Sequence, residues 1–241
     1  PLEFNKFNRS IKFDGTDDQV LLPVALPSTF SVSLWFKQTD TDNGAYLFDS
    51  RNSTSNAWAA WTTYVSSTNS HTISVWNGAT TAGSIQVPVN TWAHVFITVD
   101  GQYLNLYVNG EHDKYQAGYG GTTTSDIKVG TRYTGGNAWQ GAMDEWAIFS
   151  TALTARQVSD LYNNGQPTNL SSYSTLDHWF RMGEGKLGSK SDGESNLLFD
   201  QGPNGGLGSE KVTNGTFNTN VSNWGTSSGG TVTFSNGTAI A

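Results

Sequence analysis

Two segments constrain this chain more than any others. Trp92 to Gly110 reads WAHVFITVDGQYLNLYVNG, two alternating apolar and polar runs joined at Asp100-Gly101. That dipeptide supplies the positive φ that a tight hairpin needs, so the spacing predicts strands over Trp92 to Val99 and Tyr103 to Val108. Gly141 to Tyr162 reads GAMDEWAIFSTALTARQVSDLY, a strand, a turn and a short helix. Thr154 caps the helix, Gln157 completes a capping box, and Val158, Leu161 and Tyr162 share one face. Gly165 and Pro167 end it, so the helix is expected over Ala155 to Asn163.

The rest of the chain has the texture of an all-β protein. Phe30 to Gln38, FSVSLWFKQ, alternates strictly, with Phe30, Val32, Leu34 and Phe36 on one side. Trp35 falls on the other side with Ser31, Ser33 and Lys37, so that side is expected to be covered at its middle. Further strands are expected within Ser10 to Leu22, Tyr46 to Ser50, Trp58 to Val65, Thr72 to Trp76, Asp126 to Gly130 and Met143 to Phe149. With 27 glycines and only 14% charged residues among 241, short apolar runs are separated by many turns. The chain is long enough for one large two-sheet antiparallel sandwich of about a dozen strands.

The formal net charge is −7 without a basic run, which argues against nucleic acid as a partner. No apolar stretch approaches the length that spans a bilayer, so membrane insertion is not expected. The absence of cysteine leans towards a bacterial or viral source. The chain opens at Pro1 and closes within a strand-like run, which suggests a processed or partial product.

SIKFDGTDDQV, FSVSLWFK, WAHVFITVDGQYLNLYVNG and GAMDEWAIFSTALTARQVSDLYNNG, in this order, resemble a laminin-G-like, concanavalin A-like lectin/glucanase jelly roll over Ser10 to Gly165. The implied organisation is an extension over 1–9, a sandwich over 10–210 and a strand-rich tail over 211–241. The sandwich core is 10–165, with additional strands over 176–206. LDHWFRMGEG and LLFDQGPNGG, within that last stretch, resemble the opening of such a domain. They either complete the same sandwich or begin another repeat; the short length of chain that follows favours the first. The tail from Lys211 resembles the first strands of a carbohydrate-binding jelly roll and docks on this domain, pairs with another chain, or starts a second β domain. The SSYSTLDHWFRMGEG segment also resembles fibre and appendage proteins of tailed bacteriophages.

The resemblance sets a test for catalysis. Retaining glucanases of this fold carry Glu-x-Asp-x-x-Glu on one strand, placing two carboxyl groups about 5 Å apart. Here those positions read Ala142, Asp144 and Ala147, so an enzyme is not expected. Asp144 and Glu145 read as structural residues on opposite faces of a strand. A structural calcium ion, which needs several oxygens, would draw on Asp14, Asp49 and Asp144, with Asp17, Asp18 and Asn52 nearby. The Asp14 turn has a plainer explanation in Asp side chains bonding their own backbone. His71, His94, His112 and His178 lack metal spacing; His94 reads as a half-buried strand residue.

Aromatic residues in polar loops suggest a sugar site, because sugar C–H faces stack on rings while Asn and Asp read hydroxyls. The candidate ligand-binding residues are Trp58, Trp61, Tyr133, Asn137 and Trp139. Trp35, Trp76, Trp92 and Trp146 read as packing residues. The leading functional reading is a non-catalytic lectin-like module on a virion surface or outside the cell. It would be part of a phage fibre or appendage, a homo-oligomer contacting other assembly subunits and a glycan or host receptor. The alternative is an assembly subunit with no ligand. A glycoside hydrolase is opposed by the two alanines.

Overall fold

The computed structural model describes residues 10–52, 57–117, 126–182 and 200–203, together with the backbone of 233–235 and 238–240. In chain order the strands are β1 (Ile11–Asp14), β2 (Val20–Leu22), β3 (Phe30–Gln38), β4 (Tyr46–Asp49), β5 (Ala59–Val65), β6 (Ser70–Trp76), β7 (Thr80–Ala82), β8 (Val87–Pro88), β9 (Ala93–Val99), β10 (Tyr103–Val108), β11 (Glu111–Ala117), β12 (Ile127–Val129), β13 (Gln140–Phe149) and β14 (Leu176–Phe180). Helix α1 (Ala155–Tyr162) follows β13.

Two seven-stranded antiparallel sheets make the sandwich. The first runs β1-β13-β3-β9-β10-β11 with β14 beside β13; the second runs β2-β12-β4-β5-β6-β7 with β8 beside β6. The period-2 alternation does what the sequence predicts. Phe30, Val32, Leu34 and Phe36 of β3 and Val95, Ile97 and Val99 of β9 face Ala60 of β5, Val75 of β6 and Val129 of β12 across one buried core. The expected Asp100-Gly101 turn joins β9 to β10, with Gly101 at φ 90° and the Asp100 carboxylate accepting from the Gln102 and Tyr103 amides.

The outer side of the first sheet is also covered. Trp35 is buried there, stacked on His94 of β9 and on Tyr162 of α1 at centroid distances of 4.8 and 5.9 Å. The helix has the expected capping box, Thr154 with Gln157, and buries Val158 and Leu161 against Phe96, Tyr107 and Phe149. It stops at Tyr162 because Asn163 turns left-handed, with φ at 47°. Burial of this face stabilises a helix that would be marginal alone.

β13 departs from the expected alternation. A bulge between Asp144 and Ala147 sets an extra residue into the strand, and Glu145 takes a φ of 52°. Asp144 stands opposite Trp35, and Glu145 lines the same outer side with Trp35 and His94. The two acids therefore share a side, where strict alternation placed them apart. Glu145 accepts hydrogen bonds from Trp179 Nε1 at 2.6 Å and Arg181 Nε at 3.2 Å. This contact helps hold β14 in the first sheet. Segment 200–203 is tied on in turn: Asp200 accepts from the Trp179 and Gly202 amides and pairs with the His178 ring.

The chain divides into two units, Pro1–Gly205 and Gly206–Ala241. In the second, β15 (Thr233–Ser235) and β16 (Thr238–Ile240) form an antiparallel hairpin. The LLFDQGPNGG run lies largely outside the described residues, as do the 1–9 extension and the greater part of the tail. Among the described residues, no helix is long and apolar enough to cross a membrane.

Candidate functional site

The chemistry gathers on the outer face of the second sheet. Cross-strand register puts Tyr46 of β4 directly beside Trp61 of β5, and their rings stack at 5.6 Å with 28° between planes. One row along, Asp49 and Trp76 flank Ala59 on its two sides. Trp61 and Trp76 are half-buried, so part of each remains accessible.

Arg51 leaves the end of β4 and folds back over this face. Its Nε donates to Asp49 Oδ1 at 2.8 Å, and its Nη2 donates to Asp49 Oδ2 at 2.7 Å and to the Tyr46 hydroxyl at 3.0 Å. The guanidinium carbon lies 5.6, 6.0 and 5.1 Å from the ring centres of Tyr46, Trp76 and Tyr133. Burial disfavours the charge on Arg51, but the hydrogen bonds and charge of Asp49, helped by Tyr46, outweigh it and raise its pKa. Arg51 thus stays a cation inside a frame of aromatic rings.

A loop from Gly130 to Trp139 closes the site. Gly130 has a φ of 85°, and a Cβ there would meet the Phe13 ring at 2.4 Å, so only glycine fits. The loop is stitched by Trp139 N–H to Gly130 O at 2.8 Å and Gly135 N–H to Arg132 O at 2.8 Å. The Tyr133 amide donates to Asp49 Oδ2 at 3.1 Å, and the Tyr46 amide donates to Asn137 O at 3.1 Å. These bonds seat Tyr133 and Asn137 beside Tyr46. Asn137 is exposed, with its backbone left-handed at φ 49°.

Three of the five candidate ligand residues, Trp61, Tyr133 and Asn137, therefore converge on Tyr46 and Arg51. Trp58 and Trp139 do not. Trp58 is 1% exposed and packs edge-on against Phe30 at 5.1 Å; Trp139 is fully buried against Phe36 at 5.8 Å. Neither ring offers a face to a ligand. The reason for Trp58 lies in spacing, because residues 58 and 61 are an odd number apart and so face opposite sides of the strand. Tyr46, Arg51 and Trp76 complete the cluster without having been candidates. Tyr46 and Trp76 were legible in principle, since both alternate with core residues on their strands. Arg51 carried no local signal.

The three carboxylates proposed for calcium are not brought together. Asp49 is saturated by Arg51 and Tyr133 on the second sheet. Asp144 is buried on the outer side of the first sheet and accepts from the Glu145 amide at 2.8 Å. Asp14 clusters with Asp17 and Asp18 at an exposed turn, their oxygens within 4.8 Å of one another. Two turn bonds order that cluster, the Asp14 amide to the Asp18 carboxylate and the Thr16 amide to Asp14 Oδ1.

His94 is 1% exposed where a half-buried position was expected. Its Nε2 lies 2.7 Å from Ser33 Oγ, while its Nδ1 has no partner among the described residues. Burial lowers its pKa to about 3, so the ring is neutral. It borders a small depression with Ser33, Trp35, Glu145 and Leu161 beneath the helix.

The sequence profile of the Concanavalin A-like lectin/glucanases superfamily matches residues 14–159. Among solved structures, the fold is similar to a heptameric SAP-like pentraxin from Limulus polyphemus, at 18% identity and a TM-score of 0.54, covering 70% of this chain and 91% of that one. It is also similar to a candidate carbohydrate-binding protein from Bacteroides ovatus, at 17% identity and a TM-score of 0.59, covering 80% of this chain and 56% of that one. At such identities the likeness is one of fold. Among curated proteins none matches this sequence.

Proposed function

The chain belongs to the Concanavalin A-like lectin/glucanases superfamily, and we propose that it is a non-catalytic glycan-binding module whose platform is the outer face of the second sheet around Trp61. One observation carries this reading: Tyr46 and Trp61 stack side by side on adjacent strands, next to a guanidinium held among aromatic rings and an exposed Asn137. Aromatic faces receive sugar C–H groups, and Asn137 reads hydroxyl oxygens. The non-catalytic part rests on the alanines at 142 and 147 and on Glu145, whose carboxylate is engaged by Trp179 and Arg181. The resemblance of SSYSTLDHWFRMGEG to fibre and appendage proteins of tailed phages, with which the acidic, cysteine-free composition agrees, supports a place on a virion surface or outside the cell. In this reading residues 10–210 form the binding domain and 211–241 open a separate β element.

The test is a glycan array probed with the wild-type chain and with Trp61→Ala. Binding that disappears in the variant while its thermal midpoint is kept supports the platform. A wild-type chain that binds no glycan sinks it.

A second reading, an assembly subunit, is favoured by Tyr103 and Tyr115. These exposed rings stack at 5.3 Å on the β10–β11 hairpin, and β11 ends the strand order of the first sheet. A strand at the end of a sheet with an exposed aromatic pair suits a contact between copies. Light scattering of the wild-type chain and of Tyr103→Ser/Tyr115→Ser separates the two: an oligomer that falls to monomers in the variant favours assembly.

A further inference from the structure

We infer that the platform takes an acidic glycan, one whose sugars carry a carboxylate or sulfate group, and that Arg132 reads that group. The inference rests on the glycan-binding reading of the same face. Its basis is a local reversal of charge. The chain as a whole carries a formal charge of −7, yet three cations meet around Tyr133. Arg51 and Arg132 lie 5.1 and 5.6 Å from the centre of its ring, and Lys128 Nζ donates to its backbone oxygen at 3.1 Å. Among the described residues, Asp49 is the one carboxylate that any of the three pairs with, and it pairs with Arg51.

The three cations are not equally available. Arg51 commits Nε and Nη2 to Asp49 and Tyr46, so its fork is closed to a second carboxylate. Lys128 is spent in part on Tyr133 and stands across the strand pair from Asp49. Arg132 differs. A cation–π contact holds it without using an N–H group; its Nε is buried without a partner, and no hydrogen bond or ion pair engages its two Nη groups among the described residues. The Nη edge of a planar guanidinium receives a carboxylate or sulfate at two points.

Arg132 is also joined to the stacking surface. A line of ring and guanidinium contacts runs Trp61, Tyr46, Arg51, Tyr133, Arg132, each link between 5.1 and 5.6 Å. The ligand that fits is an oligosaccharide, with one sugar on Trp61 and the charged group further along at Arg132. Asp49 has a positioning role, because it fixes both Arg51 and the Tyr133 amide. Since the chain as a whole is acidic, attraction at this patch is short-ranged and weakens with salt.

The experiment measures binding to matched pairs of oligosaccharides that differ only in charge. One pair is oligouronate and its methyl ester; the other is a sulfated glycan and its desulfated form. Each is titrated at low and at physiological salt. The expected result is binding of a charged member on the order of tenfold tighter than its neutral partner, the factor that one charge-assisted contact supplies. That preference shrinks with added salt. It disappears in Arg132→Gln and weakens in Arg132→Lys, whose ammonium keeps the charge but not the two-point contact. Which pair shows the preference tells carboxylate from sulfate. Equal, salt-insensitive binding of both members overturns the inference and leaves the glycan-binding reading standing. So does a preference that survives Arg132→Gln. Absence of binding to every member of a panel overturns both.

Discussion

Arg51 and Asp49 form a two-point ion pair on the outer face of the second sheet, with side-chain exposures of only 8% and 0%. The pair also holds the Tyr46 hydroxyl and the Tyr133 amide and sits within the aromatic frame. Removing one partner of such a pair leaves an uncompensated charge. Asp49→Ala should therefore cost about 3–5 kcal/mol of stability. Urea denaturation of the variant and the wild type checks it. A loss below about 1 kcal/mol would mean that solvent already compensates Arg51.

The two kinds of tryptophan in this region should behave in opposite ways. Trp61→Ala should abolish glycan binding with a small change in stability, because the ring is half-buried. Trp58→Ala and Trp139→Ala each empty a space in the core and should cost about 3–5 kcal/mol. Binding and denaturation measured on all three variants decide the matter. Equal destabilisation by the three would contradict the facing assigned to Trp61.

His94 makes stability depend on pH. In the fold its pKa is lowered to about 3 by burial, against an unfolded value near 6.5. Between those values the unfolded chain binds the extra proton. The stabilisation is fully present above pH 6.5 and drains away as pH falls towards 3, by up to about 1.4 kcal/mol per pH unit. His178 has the opposite sign. Burial alone would lower its pKa, but the hydrogen bond and charge of Asp200, with Asp177, raise it. Its contribution is present below pH 6.5 and is lost as pH rises through the folded value. Urea midpoints from pH 7 down to pH 4 should fall more steeply for the wild type than for His94→Gln. Parallel slopes would count against the buried neutral ring.

Thr154 should matter more than its exposure suggests. It caps α1 by accepting from the Gln157 amide at 3.4 Å, while Gln157 accepts from the Thr154 amide at 2.9 Å. The helix in turn presses Tyr162 onto Trp35 and His94. Thr154→Ala should cost about 1 kcal/mol. Thermal unfolding, followed by tryptophan fluorescence, measures the loss. An unchanged midpoint would show that packing of Val158 and Leu161 alone secures the helix.

Much of this architecture could be read along the chain because its signals are local. The Asp100-Gly101 turn, the alternation of β3, and the Thr154–Gln157 box each act within a few residues. So could the covering of the Trp35 side, since a tryptophan among serines on a strand needs something over it. The bulge at Glu145 escaped, because an extra residue in a strand leaves alternation intact on either side. For the same reason Asp144 and Glu145 were assigned to opposite faces.

What the sequence by itself determined is the sandwich: local turn chemistry and period-2 patterning specify which residues become strands and which side of each is apolar. Which aromatic rings remain available was a question of tertiary structure. Trp58 and Trp61 have the same chemistry, and Trp139 sits in the same loop system as Tyr133. Their fates diverge because one set packs on Phe30 and Phe36 while the other lies over Tyr46 and Arg51. Only the stacking of β4, β5, β6 and β12 side by side brings residues 46, 51, 61, 76, 132 and 133 to one face. Cross-strand neighbours far apart in the chain meet through hydrogen-bond register, and a single strand's sequence does not contain that register.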